Sequence, residues 1–274
     1  MMKKMVKKKV RKSVSSKKAV KRKVHKTVAK KSIQKKKEIK KVPLGIKNLD
    51  KIMEGGFEKN STNLVVGGSG SGKSVFAIQF LIEGVKRGEN VLYIAFEEKK
   101  EDFYSNMLGL GFDLEKYEKS GKFFFLSYAP EKVRTMLEEG GGDIEITVLS
   151  KKIQRIAMDS VTNFIMLYNE EVEMRGGALA LFSLLRSWDC TSLLIYERDP
   201  LSDKRKSSRV LEFEADSLIF LYFVRLRAER ERFLEVYKMR GSGHSRNVFP
   251  YDIKGKVGID VSSRPFRGKL KADS

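Results

Sequence analysis

Residues Gly67 to Ser74 read GGSGSGKS, a full match to the pattern G-x-x-x-x-G-K-[ST], and no other stretch restricts the fold as much. Such a loop works only between a strand and a helix. Glycines let the backbone wrap a phosphate with its N–H groups turned inward, and the helix N-terminus behind the loop adds a favourable dipole. The flanks supply both elements. Asn63–Gly67 is apolar and β-branched and predicts a strand, and Ser74–Glu83 has helical spacing and good helix formers. Gly68, Ser69, Gly70, Ser71, Gly72, Lys73, Ser74 and Val75 are therefore the candidate nucleotide-binding residues. Lys73 would reach the β- and γ-phosphates of ATP and act in catalysis, and the Ser74 hydroxyl would ligate Mg²⁺.

The rest of the chain repeats the alternation. Leu49, Ile52 and Met53 share a helical face that Gly55-Gly56 ends. The helix behind the loop spans about 73–87. Val91–Ala95, Phe123–Ser127, Ile153–Met158 and Ser192–Tyr196 predict further strands, with helical segments at about 99–109, 131–139 and 178–188. Gly140–Gly142 is expected to break the second of these helices, and the stretch from there to the next strand looks short for another. This order predicts an α/β fold with a mostly parallel, doubly wound sheet. After Pro200 the pattern changes to antiparallel strands: Leu218–Val224 with Phe233–Tyr237, then Val248–Ile253 with Val257–Val261.

Charge divides the chain. Residues 1–41 hold 20 of the 56 Lys and Arg residues and only one of the 35 acids, Glu38, so 36 bases and 34 acids remain for the other residues. The domains expected are a disordered basic tail at 1–41, a nucleotide-binding domain at 42–262 and a flexible tail at 263–274. The first tail has no aromatic residue and cannot bury enough apolar surface to offset its ordering entropy. Three readings of it stand open: a phosphate-binding arm for nucleic acid, a contact for an acidic partner or anionic lipid, and an extension without a specific partner. No apolar run approaches the ~18 residues that span a bilayer, and neither a transmembrane segment nor a secretory leader is expected. Cys190 is the only cysteine, and His25 and His244 are the only histidines, which argues against internal disulfides and a zinc site and for a cytoplasmic protein.

Hydrolysis needs more than the loop. Asp159, after Ile156-Ala157-Met158, stands where a strand end would present a carboxylate to the Mg²⁺ shell, although Lys151, Lys152 and Arg155 dilute the apolar run before it. Glu97 and Glu98 end the strand from Val91, at the crevice where ligands bind a parallel sheet. Two adjacent carboxylates near phosphates repel each other unless a metal or proton relieves them. That cost suggests catalytic work: one orients the attacking water, the other supports it or the metal, with Glu97 the candidate Mg²⁺ contact.

Phe96-Glu97-Glu98, Asp159-Ser160 and Tyr237–His244 (YKMRGSGH) together resemble the KaiC family of RecA-fold ATPases, the circadian-clock ATPase and its single-domain archaeal relatives. Gly45-Ile46, Leu49-Asp50 and Gly55-Gly56 are similar to that family's lead-in, and Phe213–Asp216 before Leu218–Leu221 is similar as well. The resemblance covers about 42–261. It implies a RecA-like P-loop core and a homo-oligomer, a hexamer, with ATP bound between subunits. Lys238 and Arg240 would reach the neighbour's γ-phosphate, with Met239, Ser242 and His244 near the same nucleotide. Alternate positions 238 and 240 share one strand face, so both can point across an interface. Arg232 and Arg246 are secondary candidates.

The clock proteins carry two such domains and this chain one, so rhythmic autophosphorylation does not transfer, and Tyr196 stands where a smaller polar residue usually precedes Glu197. The leading expectation is an assembling, Mg²⁺-dependent ATPase with a regulatory or scaffolding output. The alternatives are an ATP-driven assembly switch with little turnover and a DNA-associated recombinase or helicase motor.

Overall fold

The computed structural model describes residues 40–96, 98–129, 131–132, 134–135, 141–201, 209–226 and 228–271. The basic tail, Glu97 and most of the expected helix at 131–139 lie outside them.

The alternation read from the sequence folds into one nine-stranded sheet. In chain order the elements are β1 (Lys41–Val42), α1 (Leu49–Ile52), β2 (Phe57–Glu58), β3 (Thr62–Gly67), α2 (Lys73–Lys86), β4 (Asn90–Ala95), α3 (Lys100–Gly109), α4 (Leu114–Lys119) and β5 (Phe123–Ser127). Then come α5 (Gly142–Lys151), β6 (Ile153–Asp159), α6 (Val161–Met166), α7 (Glu171–Ser187), β7 (Thr191–Glu197), α8 (Val210–Glu214), β8 (Ser217–Leu226), β9 (Glu229–Met239), β10 (Val248–Lys254) and β11 (Gly258–Val261). The strand order is β11-β10-β9-β8-β3-β7-β6-β4-β5. From β8 to β5 neighbours run parallel, and β8, β9, β10 and β11 pair antiparallel. β1 and β2 form a separate antiparallel pair.

Burial on both faces explains the near-continuous apolar strands. Alternate residues feed two cores: Val65, Tyr93, Ala157, Leu193 and Ile219 face α2, and Leu64, Ile94, Ile156, Leu194 and Leu218 face α5 to α7. α2 lies between the sheet and the lead-in, so most of its residues are buried. Buried Gln79 ties it to the far antiparallel pair: its Oε1 accepts from Ile259 N at 2.7 Å and its Nε2 donates to Val257 O at 3.0 Å.

Four details differ from expectation. The stretch between Gly142 and β6 is not too short for a helix: Gly141, at φ 100°, caps α5, whose ten residues fill it. The helix expected over 178–188 begins already at Glu171. Residues 263–271 are not loose throughout, because Phe266 N donates to Val248 O at 2.8 Å and its ring sits 4.6 Å from Phe233.

Arg155 is the fourth. Rather than weakening the apolar run as a solvated charge, it is fully buried beneath α2. Its Nε donates to Glu89, its Nη1 donates to Pro43 O (2.6 Å) and Phe80 O (2.9 Å), and its plane lies over the Phe80 ring. A buried charge is tolerated when paired and hydrogen-bonded in this way. Arg155 thereby fastens the Asp159 strand to α2 and to the lead-in.

Candidate functional site

Gly67 ends β3 where the chain must turn sharply. A Cβ there would stand 2.4 Å from Ser71 Oγ and 2.7 Å from Leu221 O, so only glycine fits. Gly72, at φ 87°, precedes α2, and a Cβ on it would meet Ile253 Cδ1 at 2.5 Å. Ser71 Oγ donates to Gly68 O at 2.8 Å and Tyr251 OH to Ser71 O, so the loop is braced from within and from β10. Arg232 of β9 braces the rim: Nε and Nη2 donate to Gly70 O at 3.2 and 3.1 Å while the guanidinium lies 4.4 Å from the Phe223 ring centroid.

Lys73 is buried, and its Nζ donates to Gly68 O at 2.9 Å. Burial pushes its pKa down, while Glu197 and Asp159 pull it up. Glu197 closes β7 level with Gly67, so a carboxylate not assigned a site role from the sequence faces the loop lysine. Parallel pairing of β7 with β3 was the signal that could have found it.

Asp159 ends β6 beside Ala95 of β4. Its Oδ2 accepts from Ser74 Oγ and from Tyr93 OH, each at 2.6 Å. Sequence reasoning missed Tyr93. Its signal was a lone polar tip in an aliphatic strand, which when buried needs a partner. Burial first, then the charge of Asp159, holds the Tyr93 phenol well above its ordinary pKa, so it stays a donor. Ser74 and Asp159 thus bring two hard oxygens to one point, as Mg²⁺ requires when phosphate oxygens and water complete its shell. Among the described residues no cluster of three or more His, Cys, Asp or Glu could hold a metal, so a cage built from protein carboxylates and imidazoles alone is not the alternative there. Ser74 and Asp159 fit the ion; the Glu97 contact falls outside the described residues. Glu98 turns toward α3, where its Oε1 accepts from Asn106 Nδ2 at 2.9 Å.

The remaining candidates lie elsewhere. Met239 pairs with Ser217, which pairs with Asn63, so Lys238 and Arg240 sit level with the start of β3 while the P-loop leaves its end. Four residues of strand separate the two levels, roughly 13 Å at the usual rise. Lys238 Nζ donates to Glu212 O (3.1 Å) and Phe213 O (3.0 Å), and Arg240 Nη2 to Phe213 O (2.7 Å). Burial and then Arg240 lower the Lys238 pKa, against Asp216, Glu214 and Glu212. Ser242 Oγ is buried without a hydrogen-bond partner among the described residues, and His244 Nδ1 lies 2.9 Å from Ser245 O. Arg246 is exposed.

Residues 42–265 match the family described as "ATPase: KaiC". A circadian clock protein KaiC3 of Synechocystis is 32% identical over 230 residues, covering 81% of this chain and 46% of that protein. A UPF0273 protein of Pyrococcus furiosus is 32% identical over 231 residues, covering 80% and 92%. The chain therefore spans less than half the length of that clock relative and nearly all of the archaeal one. The solved structure of a KaiC-like protein from Pyrococcus horikoshii superposes with a TM-score of 0.71 at 31% identity, covering 82% of this chain and 99% of that one.

Proposed function

The chain belongs to the KaiC ATPase family, and from that premise we propose that it binds ATP with Mg²⁺ at Gly68–Val75 and hydrolyses it in a ring of copies, a hexamer, whose sites are shared between neighbours. Within one chain Lys73, Ser74 and Asp159 hold the phosphates and the ion, which when bound offsets charge on the phosphate oxygens. Glu97 and Glu98 serve the attacking water. Lys238 and Arg240 of the adjacent copy, with Met239, Ser242 and His244 beside them, supply positive charge where negative charge builds up in transfer.

The observation that carries this reading is the roughly 13 Å of strand between the P-loop and Lys238/Arg240, set by the register of β3, β8 and β9. Cations held at the far end of the strand from their own loop are better placed for another chain's phosphate. Phe213 and Tyr237, 71% and 60% exposed, flank them, as suits a face that a neighbour covers. A regulatory or scaffolding output in the cytoplasm completes the reading. Among the described residues no helix is long and apolar enough to cross a membrane.

ATP turnover per chain, measured against protein concentration with Mg²⁺ and without DNA, is the test. Turnover per chain should rise and then saturate. Binding with no turnover at any concentration would make the protein an assembly switch and withdraw the roles of Glu97 and Glu98. Turnover that appears only with DNA would favour the motor.

A further inference from the structure

α8 has five residues, yet its last carbonyls meet three cations: Lys238 on Glu212 O and Phe213 O, Arg240 on Phe213 O, and Arg186 Nη2 on Glu214 O at 3.0 Å. A helix C-terminus favours such company. The helix is moored at both ends of the P-loop strand. At one end, Asp216 just past α8 accepts from Thr62 N through Oδ2 (2.9 Å), while its Oδ1 faces Arg240 Nη1 at 3.5 Å. At the other, the Glu212 carboxylate pairs with Arg198, both side chains nearly buried, and Arg198 N donates to Gly67 O at 3.2 Å. Lys238 and Arg240 spend two donors each on these contacts, out of three and five, which leaves donors for an anion.

We propose that α8, through Glu212–Arg198 and Asp216, is the positioning element of the shared site. It fixes Lys238 and Arg240 in the pose that meets a neighbouring copy's γ-phosphate, and it ties that pose to the end of the chain's own P-loop strand. The proposal rests on the shared-site reading above. Long cationic side chains lose rotamer freedom when they bind phosphate; holding them beforehand removes that loss from the transfer step. Glu212, Arg198 and Asp216 touch no reacting atom, and their effect passes through the two cations.

The experiment mixes two full-length chains. An acceptor carries Arg240→Ala and keeps its own loop; a donor carries Glu97→Gln and Glu98→Gln and keeps its cations. Mixed under Mg²⁺ and ATP, with co-assembly followed by light scattering, they should regain turnover at acceptor loops. Glu212→Gln is then added to one chain at a time. In the donor it should cut the regained kcat about tenfold with KM for ATP unchanged, and Glu212→Asp should restore part of it. In the acceptor it should change little. Arg198→Lys, which keeps the charge but not the fork, should show the same asymmetry if Glu212→Gln proves unstable. Equal losses in donor and acceptor, or none in either, would overturn the positioning role while leaving the shared site intact. Parent chains that co-assemble without regaining turnover would remove the shared site itself, and this proposal with it.

Discussion

The two halves of the sheet treat charge in opposite ways. In the parallel half, Arg155 and Lys73 are buried and Asp159 is half-buried, and each has hydrogen-bond partners inside the chain. In the antiparallel half, Lys238 and Arg240 rest on carbonyl groups at the surface, and the Arg240 side chain is half exposed. The first arrangement suits chemistry that one chain must complete alone. The second suits groups kept in place for something outside the chain. An enclosed charge with no role at the nucleotide, such as Arg155, should answer to mutation through stability; surface cations held for a neighbour should answer through turnover.

That contrast is sharpest for two arginines. Arg240→Ala should lower kcat on the order of 10³-fold, the usual scale for a cation acting on transferring phosphate, with the denaturation midpoint nearly unchanged. Arg155→Met should do the reverse. It strands Glu89 and frees Pro43 O and Phe80 O, so unfolding free energy should fall by about 3–5 kcal/mol, as when one partner of a buried pair is removed. Urea unfolding followed by circular dichroism checks both. A large stability loss in Arg240→Ala, or none in Arg155→Met, would break the distinction between the halves.

Gln79→Leu tests whether the antiparallel end depends on the parallel one. It removes an acceptor from Ile259 N, buried in β11, and a donor to Val257 O. The expected cost is about 1–3 kcal/mol, that of an unsatisfied buried amide. Hydrogen exchange should show faster opening at Ile259 and Val261 than at Val65. Uniform loosening would mean that the two halves open as one unit.

The sequence made some of this legible and hid the rest for physical reasons. Continuous apolar runs exposed the strands around Val65, Val91 and Leu194, and helical spacing exposed the helix behind Gly72, because those elements are buried. The P-loop and Asp159 were readable from local order alone. Arg155 was not: a charge inside a strand reads as a dilution of its apolar run, and its burial depends on Glu89 and on the carbonyls of Pro43 and Phe80, all distant in sequence. Tyr93 and Glu197 were hidden likewise, since their roles depend on which strands become neighbours. α8 is too short for periodicity to reveal, and the Gly142 helix was obscured by glycines that cap as readily as they break.

The smallest effect should come from the part of the chain with the most charge. The 20 basic residues of 1–41 precede a remainder that is nearly neutral, and the family match begins at residue 42. Deleting residues 1–39 rather than 1–41 keeps Lys41–Val42 paired with Phe57–Glu58 and leaves the Pro43 carbonyl on Arg155 in place. Turnover per chain at 0.15 M salt should then stay within about twofold of the full chain, since the Debye length there is about 8 Å and screens a charged arm from distant phosphates. Retention on a heparin column, a polyanion that reads charge without sequence, should fall sharply with the deletion. If turnover instead drops tenfold while retention is lost, the arm acts on the site, and the contrast drawn here between the halves of the sheet would have to include it.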